Sequence, residues 1–362
     1  MTRLLVVDDS PLMRRVLGDT FRDAGGFEVE IANDGIQAID KLHTFRPDVI
    51  TLDIHMPGMD GLACLDRIML ERPTPVVMLS ALTAQGANET LEAMALGAVD
   101  FIAKPAGAVS LAIDALAPPL IEKVRAAAGA RVPRSRRLVE RVRLRGAQPA
   151  TMTQPKTATK SRVRIAPSVA GDGLVIVGCS TGGPPALEAL LTPLAADFPW
   201  PIVVAQHMPA SFTGALARRL DKICAIPVNE ISRLTRLEAG QAYIGRGDAD
   251  LIVARRSSKL VGMSAPIHAD YHWHPSVDRL VASAMEVLEP QQLIGVLMTG
   301  MGADGSVTMR ELKVSGGRTI AESQDSAVVW GMPGALVRTG GASIVAPLES
   351  IASDLVALMA RG

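Results

Sequence analysis

Five short apolar runs, at residues 4–7, 28–32, 49–52, 76–79 and 101–103, punctuate the first 120 positions, each bounded by turn-forming residues. Such runs read as buried strands. Between them, apolar residues recur at helical spacing over 12–23, 35–44, 61–71 and 84–96, and a further helical stretch at 113–128 closes the series. Strands alternating with helices predict a doubly wound parallel sheet. From about residue 129 the periodicity vanishes, and Arg, Pro, Thr, Ser and Ala dominate until 170. Strand patterns return at 174–177, 202–205, 242–244, 293–298, 319–321 and 343–345, with helical segments at 186–194, 276–288 and 306–314. Residues 250–263 read as a hairpin turning at Ser257 and Ser258, placed on an edge of the second sheet. The predicted fold class is α/β: two doubly wound parallel-sheet domains, 1–122 and 171–362, joined by a flexible linker over 123–170.

Composition narrows the class of protein. Aromatics are scarce, so the cores must be aliphatic. No apolar run approaches the roughly 18–20 residues of a membrane span. Asp8 and Asp9 directly follow the first apolar stretch, which argues against a secretory leader. Cys64, Cys179 and Cys224 are far apart and not in metal-ligand spacing, as expected of reduced thiols in a cytoplasmic protein. The net charge is zero, yet residues 123–170 carry 13 Lys or Arg against the single acid Glu140. That segment lacks aromatics to stack on bases and has no zinc or helix-turn-helix pattern. It is read as a linker facing acidic domains rather than as a nucleic-acid site.

Candidate chemistry gathers at strand ends. Asp8 and Asp9 end the first strand, Asp53 the third, Ser80 the fourth and Lys104 the fifth. In a doubly wound sheet these carboxyl ends share one crevice. Three converging carboxylates call for a hard cation such as Mg²⁺. With a hydroxyl and a lysine beside them, they describe phosphoryl transfer to Asp53. The runs LLVVDDSPLMRR, LDIHMPGMDG, VVMLSAL and DFIAKP closely resemble a response-regulator receiver domain over residues 1 to about 120. The resemblance implies a flavodoxin-like fold and phosphorylation of Asp53 by a histidine kinase. It also implies Mg²⁺ held by Asp8, Asp9 and Asp53, and a switch made of Ser80, Phe101 and Lys104. Where relatives often carry an acid two residues after the phosphorylated Asp, this chain has His55, a departure that bears on metal affinity or dephosphorylation.

In the second half, the strand at 174–177 runs into Gly178-Cys179-Ser180-Thr181-Gly182, and a helix follows. Gly-x-Ser-x-Gly between strand and helix is a nucleophile elbow, although Ser180 also fits a plain N-cap. His207 follows the next strand and Asp304 follows the strand at 293–298, so both reach the same sheet edge as Ser180. A hydroxyl, an imidazole to take its proton and a carboxylate to orient the imidazole form a working nucleophile. One rival occupies the same loop: Gly300, Gly302 and Gly305 satisfy the dinucleotide fingerprint, with Asp325 at the ribose-acid distance. Against it, Asp304 sets a carboxylate where a pyrophosphate belongs. Cys179 as nucleophile and His268, His272 and His274 as a zinc site are weaker readings. Strand alternation turns the thiol away, and the histidines fit a loop rimming the site.

VGCSTGGPPAL, VVAQHMP, HPSVD and TGMGADG together resemble the catalytic domain of the chemotaxis protein-glutamate methylesterases over 172 to about 360. With the receiver in front, the whole chain is similar to that family. The resemblance implies a Rossmann-like esterase domain, with Ser180 as nucleophile, His207 as general base and then acid, and Asp304 as its orienter. Backbone N–H groups of Thr181 and Met301 are implied as oxyanion donors. It further implies hydrolysis of glutamate methyl esters on methyl-accepting chemoreceptors, deamidation of receptor glutamines, and no cofactor for the hydrolysis. The Arg that often precedes Pro-Ser-Val-Asp in relatives is His274 here, which bears on binding of acidic receptor segments. No insertion into the membrane is expected.

Overall fold

A computed structural model describes residues 1–104, 109–132 and 173–360, with side chains omitted for 109–116. The chain divides into two compact units, Met1–Thr159 and Lys160–Gly362. In the first, strands β1 (Thr2–Val7), β2 (Phe27–Ala32), β3 (Val49–Asp53), β4 (Val76–Ala81) and β5 (Asp100–Lys104) alternate with five helices. These are α1 (Pro11–Asp23), α2 (Gly35–Thr44), α3 (Gly61–Glu71), α4 (Ala84–Leu96) and α5 (Val109–Ala128). The sheet is parallel, in the order β2-β1-β3-β4-β5. Helices cover both faces, which is why Leu4–Val7 and Val76–Leu79 are apolar without alternation and nearly inaccessible. Each of the first four helices starts where a side chain can satisfy an open N–H. Ser10, Asp34, Asp60 and Thr83 accept from the amides of Met13, Gln37, Ala63 and Gly86. Helix α5 runs through Ala128 with Leu120, Val124 and Ala127 buried. The basic linker expected over 123–170 therefore does not begin at 123, because residues 123–128 continue α5 and pack through Val124 and Ala127; from 133 onward it lies outside the described residues.

The second unit is built on a seven-stranded parallel sheet. Its strands are β6 (Leu174–Cys179), β7 (Ile202–Gln206), β8 (Val228–Ile231), β10 (Ala242–Gly245), β13 (Leu293–Leu297), β14 (Arg318–Glu322) and β15 (Ile344–Ala346). They lie in the order β15-β14-β13-β6-β7-β10-β8. Helices α6 (Gly183–Leu191), α7 (Ala210–Ile223), α8 (Val277–Met285), α9 (Ser306–Val314), α10 (Met332–Arg338) and α11 (Leu348–Met359) accompany them. The chain moves outward from β6 in one direction, then returns to add β13, β14 and β15 on its other side. The strand order therefore reverses between β6 and β13, where such sheets open a ligand crevice. The expected hairpin forms from β11 (Asp250–Arg256) and β12 (Lys259–Ala265), and its turn holds Ser257 and Ser258 at positive φ. It does not extend the main sheet. With the two-residue strand β9 (Thr235–Arg236) it makes a separate antiparallel sheet, β11-β12-β9. The inner residues Leu251, Val253 and Val261 are buried, and Val253 donates its amide to Ser283 of α8. No helix among the described residues is long and apolar enough to cross a membrane.

Gly61 shows how tightly the first sheet edge is built. A Cβ there would sit 2.1 Å from the Asp53 carbonyl oxygen and 2.7 Å from Ile54 Cα, both backbone atoms. Gly61→Ala is therefore expected to destabilise the first unit by about 1–3 kcal/mol, since neither atom yields without moving the Asp53 strand end. Urea unfolding checks this; an unchanged midpoint would show that the edge is looser than described.

Candidate functional site

Two sites stand at the carboxyl ends of the two sheets. In the first, β1 delivers Asp8 and Asp9 and β3 delivers Asp53. Carboxylate oxygens of all three lie within 4.8 Å of one another. Lys104, from the end of β5, places Nζ 2.9 Å from Asp8 Oδ2 and 2.8 Å from Asp53 Oδ2. Burial pushes the Asp53 carboxyl up, and the Asp8 charge adds to this against the pull of Lys104. Burial works against the Lys104 ammonium, yet its two carboxylate neighbours outweigh it and raise its pKa. Carboxylates outnumber cations here, so the oxygen-rich donor set fits a hard divalent cation such as Mg²⁺.

Ser80 and Phe101 sit beside this cluster and take partners elsewhere. The Ser80 hydroxyl donates to the Gly86 carbonyl at 3.2 Å and accepts from Thr90 at 2.7 Å, which ties it to α4. Phe101 is buried, with Lys123 Nζ 5.3 Å from its ring centroid. His55 reaches α4 as well, with Nε2 3.2 Å from Glu89 Oε2.

The second site is assembled by strand register. Cys179 on β6 pairs with Gln206 on β7, so the next residues outward are Ser180 and His207. The His207 amide donates to the Cys179 carbonyl at 3.0 Å and continues the ladder. Gln206 cross-braces the pair, with Nε2 3.0 Å from the Ser180 carbonyl and 3.2 Å from the His207 carbonyl. Its side chain fills the space beside Gly183, where a Cβ would fall 1.8 Å from Gln206 Oε1. On the other side, the Ser180 amide donates to Thr299, just past β13. Ser180 and His207 are almost wholly shielded from solvent.

Asp304 closes the constellation. Its Oδ2 lies 2.8 Å from His207 Nε2 and accepts the Val277 amide at 2.7 Å. Its Oδ1 accepts from the Ser276 hydroxyl at 3.1 Å and the Asp278 amide at 3.0 Å. The carboxylate thus caps the N-terminus of α8, where exposed amides and the helix dipole favour negative charge. Burial opposes ionisation, but the His207 contact and the two amides outweigh it, and the Asp304 pKa is lowered. Asp278, one turn away, is pushed up by burial and by the Asp304 charge, despite its bonds from Thr308. Their environments push the two acids in opposite directions, Asp304 toward its charged form and Asp278 away from it. His207 Nδ1, by contrast, is buried with no hydrogen-bond partner among the described residues. With Nε2 turned to Asp304, Nδ1 is the ring nitrogen open to a further partner.

The oxyanion candidates lie in the same crevice. Thr181 follows Ser180, and its carbonyl accepts from Thr299 Oγ1 at 2.8 Å. Met301 is in the loop whose Gly300 carbonyl is gripped by the amides of Gly331 and Met332. The Met301 amide itself meets no protein acceptor among the described residues.

The weaker readings find no support. The glycine loop of the dinucleotide fingerprint is occupied by Asp304 in its contact with His207. Cys179 is wholly buried, bonded to Gln206 Oε1 at 3.0 Å, and burial drives its thiol far above the range of a nucleophile. The histidines disperse: His274 pairs with Asp250 at 2.9 Å, His268 lies near Asp270, and His272 packs on Trp273. Among the described residues the only cluster suited to a metal is Asp8, Asp9 and Asp53.

Several supporting residues have no signal in the sequence beyond their motifs. Ser276 and Asp278 belong to HPSVD, where a Ser before an apolar helical run marks the N-cap. Glu322, at the end of β14, is fully buried and accepts from the Thr299 amide at 2.8 Å and from Ser326 at 3.0 Å. It braces Thr299, and through it Ser180. Burial pushes its carboxyl up to about 7, against both hydrogen bonds, with Glu349 adding to the rise.

Known proteins match both halves. A model of the CheB methylesterase family matches residues 175–355, and one of the response regulator receiver domain matches 4–114. Protein-glutamate methylesterase/protein-glutamine glutaminase 2 of Rhodopseudomonas palustris is 53% identical over 357 residues, 98% of each chain. Protein-glutamate methylesterase/protein-glutamine glutaminase 3 of Rhodospirillum rubrum is 51% identical over 364 residues, covering 100% of this chain and 97% of its own. The crystal structure of the Thermotoga maritima CheB methylesterase catalytic domain superposes with a TM-score of 0.50 at 35% identity. It matches 52% of this chain and 100% of that one.

Glu322 generates a pH prediction. Its folded pKa lies above the unfolded value of 4.5, so the folded state holds the extra proton between 4.5 and about 7. Stability should fall as pH rises through that window, by on the order of 3 kcal/mol, and level off above it. Glu322→Gln keeps an acceptor for Thr299 and removes the ionisation. Its melting temperature should equal the wild type's near pH 4.5 and exceed it increasingly up to pH 7–8. Parallel curves for the two proteins would contradict the buried neutral carboxyl.

Proposed function

The chain belongs to the CheB methylesterase family, and on that premise we propose that it is a phosphorylation-controlled protein-glutamate methylesterase and protein-glutamine glutaminase. The observation that carries the hydrolytic half is the His207–Asp304 contact, which leaves His207 Nδ1 buried and unbonded one register step from Ser180.

In the mechanism we assign, Ser180 Oγ attacks the γ-carbonyl of a methylated glutamate on a chemoreceptor. His207 Nδ1 takes the serine proton as the C–O bond forms. Asp304 remains ionised and holds the ring by Nε2. The carbonyl oxygen becomes an oxyanion, received by the amides of Thr181 and Met301. Collapse breaks the bond to the methoxy oxygen, and the His207 proton leaves with it as methanol. Water then attacks the acyl-serine and gives its proton to His207. Collapse of this second intermediate returns that proton to Ser180 Oγ and frees the glutamate carboxylate. With glutamine as substrate the leaving group is ammonia. The residues at 180, 207 and 304 need no cofactor for these steps.

Control rests with the first unit. A histidine kinase of the chemotaxis system donates a phosphoryl group to Asp53, and Asp8, Asp9 and Asp53 are the residues that would hold Mg²⁺. When bound, the ion offsets the negative charge of the phosphoryl oxygens. Lys104 pairs with the phosphoryl group in place of its two carboxylates. Ser80 leaves Gly86 and Thr90 to meet it, and Phe101 follows. Of the domain limits 1–122, 123–170 and 171–362, the first is extended by α5 to Ala128, and the basic segment after it is the proposed connection between switch and enzyme. The proposed setting is the cytoplasm, with the chemoreceptor's cytoplasmic helices as substrate and neither nucleic acid nor membrane insertion involved.

Methanol release from a methylated chemoreceptor tests both halves. Ser180→Ala should lower the rate at least about 10³-fold. A phosphoryl donor with Mg²⁺ should stimulate the wild type and fail to stimulate Asp53→Asn. Release that survives Ser180→Ala would remove the serine mechanism, and equal stimulation of Asp53→Asn would remove the assigned phosphorylation site. A fragment starting near Ala170 should match the stimulated rate; one no faster than the unphosphorylated chain would count against inhibition by the first unit.

A further inference from the structure

The segment His268–His274 is absorbed neither by the metal readings nor by the hydrolytic mechanism, yet it touches the mechanism's central group. The Trp273 indole stacks on the His207 imidazole, with centroids 5.1 Å apart and planes only 8° from parallel. The same indole reaches the oxyanion loop, since a Cβ on Gly302 would come 3.6 Å from Trp273 Nε1. His272 meets the indole edge-on at 4.9 Å and 89°.

The loop is anchored for this purpose at both ends. Asp250, almost wholly buried, accepts from the His268 amide at 3.3 Å, His274 Nδ1 at 2.9 Å and the Ser276 amide at 3.1 Å. Arg279 also bonds Asp250 and donates to the Pro266 carbonyl at 2.7 Å. One carboxylate therefore ties the start of the loop, its end and the N-terminus of α8, whose first amides in turn hold the Asp304 carboxylate. Trp273 and Asp304 are thus mounted on a common support, one against the face of the His207 ring and the other against its edge.

We propose that Trp273 is a positioning residue of the hydrolytic site, fixing the plane of the His207 ring and stabilising the positive charge the ring acquires with the serine proton. This rests on the reading of His207 as the general base. Against a neutral imidazole the stack supplies packing alone. Against an imidazolium the electron-rich indole face adds an electrostatic attraction, strongest for Trp among the aromatics. The benefit therefore grows as the proton moves, so it lowers the barrier rather than tightening substrate binding. The charged and titratable groups facing the pair are Asp304 at the ring edge, Asp278 behind it and His272 beside the indole.

The test uses the full chain. In methanol release, Trp273→Leu should lower kcat by about 3–30-fold, the span expected of a cation–π contact. KM should change less than about twofold, and the acid limb of the pH–rate profile should move to lower pH. Trp273→Phe, which keeps a weaker ring face, should fall between. Tryptophan fluorescence gives a readout that needs no turnover. In Ser180→Ala, the emission lost on changing Trp273 to Phe should be quenched as pH falls, and that quenching should vanish in His207→Gln. Normal wild-type release with unchanged kcat in Trp273→Leu overturns the proposal alone, as does a loss confined to KM or quenching that survives His207→Gln. A wild type that releases no methanol overturns the hydrolytic reading and this proposal with it.

Discussion

The second half of the molecule depends on one buried negative charge. Asp304 sits out of water, where an unpaired carboxylate would be costly. It is sustained by His207, the Ser276 hydroxyl and the amides of Val277 and Asp278. Those donors come from β7's end and α8's first turn, so a properly solvated Asp304 requires both elements in place. The same arrangement gives the reaction its direction: Nε2 of His207 is committed, and only Nδ1 remains to accept a proton. Asp250 extends the scheme one layer outward by holding Ser276 and the loop that carries Trp273.

The first unit solves the converse problem. There the carboxylates at the sheet edge exceed what Lys104 can neutralise, and the imbalance suits a further cation. Both sites occupy the point where strand order reverses in a parallel sheet. In one, the edge is electrostatically incomplete, with more carboxylates than Lys104 can pair. In the other, the acceptors of Asp304 are closely matched by donors, while His207 Nδ1 and the Met301 amide stay open among the described residues. A switch and a catalyst thus differ less in scaffold than in how completely their charges are compensated.

Much of this was readable from the residues because parallel sheets impose a simple rule. Strand-end residues meet at one edge, so the apolar runs alone bring Asp8, Asp53, Ser80 and Lys104 to one crevice, and Ser180, His207 and Asp304 to another. What escaped depends on contacts that periodicity does not encode. The hairpin at β11 and β12 pairs with β9 rather than the main sheet, and a two-residue strand is too short to show as an apolar run. Asp304 lies in a loop, and nothing local marks α8 as the helix it caps. Glu322 reads as an ordinary charged strand end, and its burial follows from its position beneath Thr299. Trp273 stands in a loop without periodicity, so its stacking on a residue 66 positions earlier appears only in three dimensions.

The central claim is that the charge on Asp304, acting through His207, makes Ser180 a nucleophile. The most direct measurement is the rate at which a fluorophosphonate modifies the chain, with the modified residue located by mass spectrometry, in wild type and Asp304→Asn. Modification is expected at Ser180, with a fall of about 10³–10⁴-fold in Asp304→Asn, as when a serine–histidine pair loses its orienting carboxylate. Modification elsewhere, or equal rates in the two proteins, would contradict it.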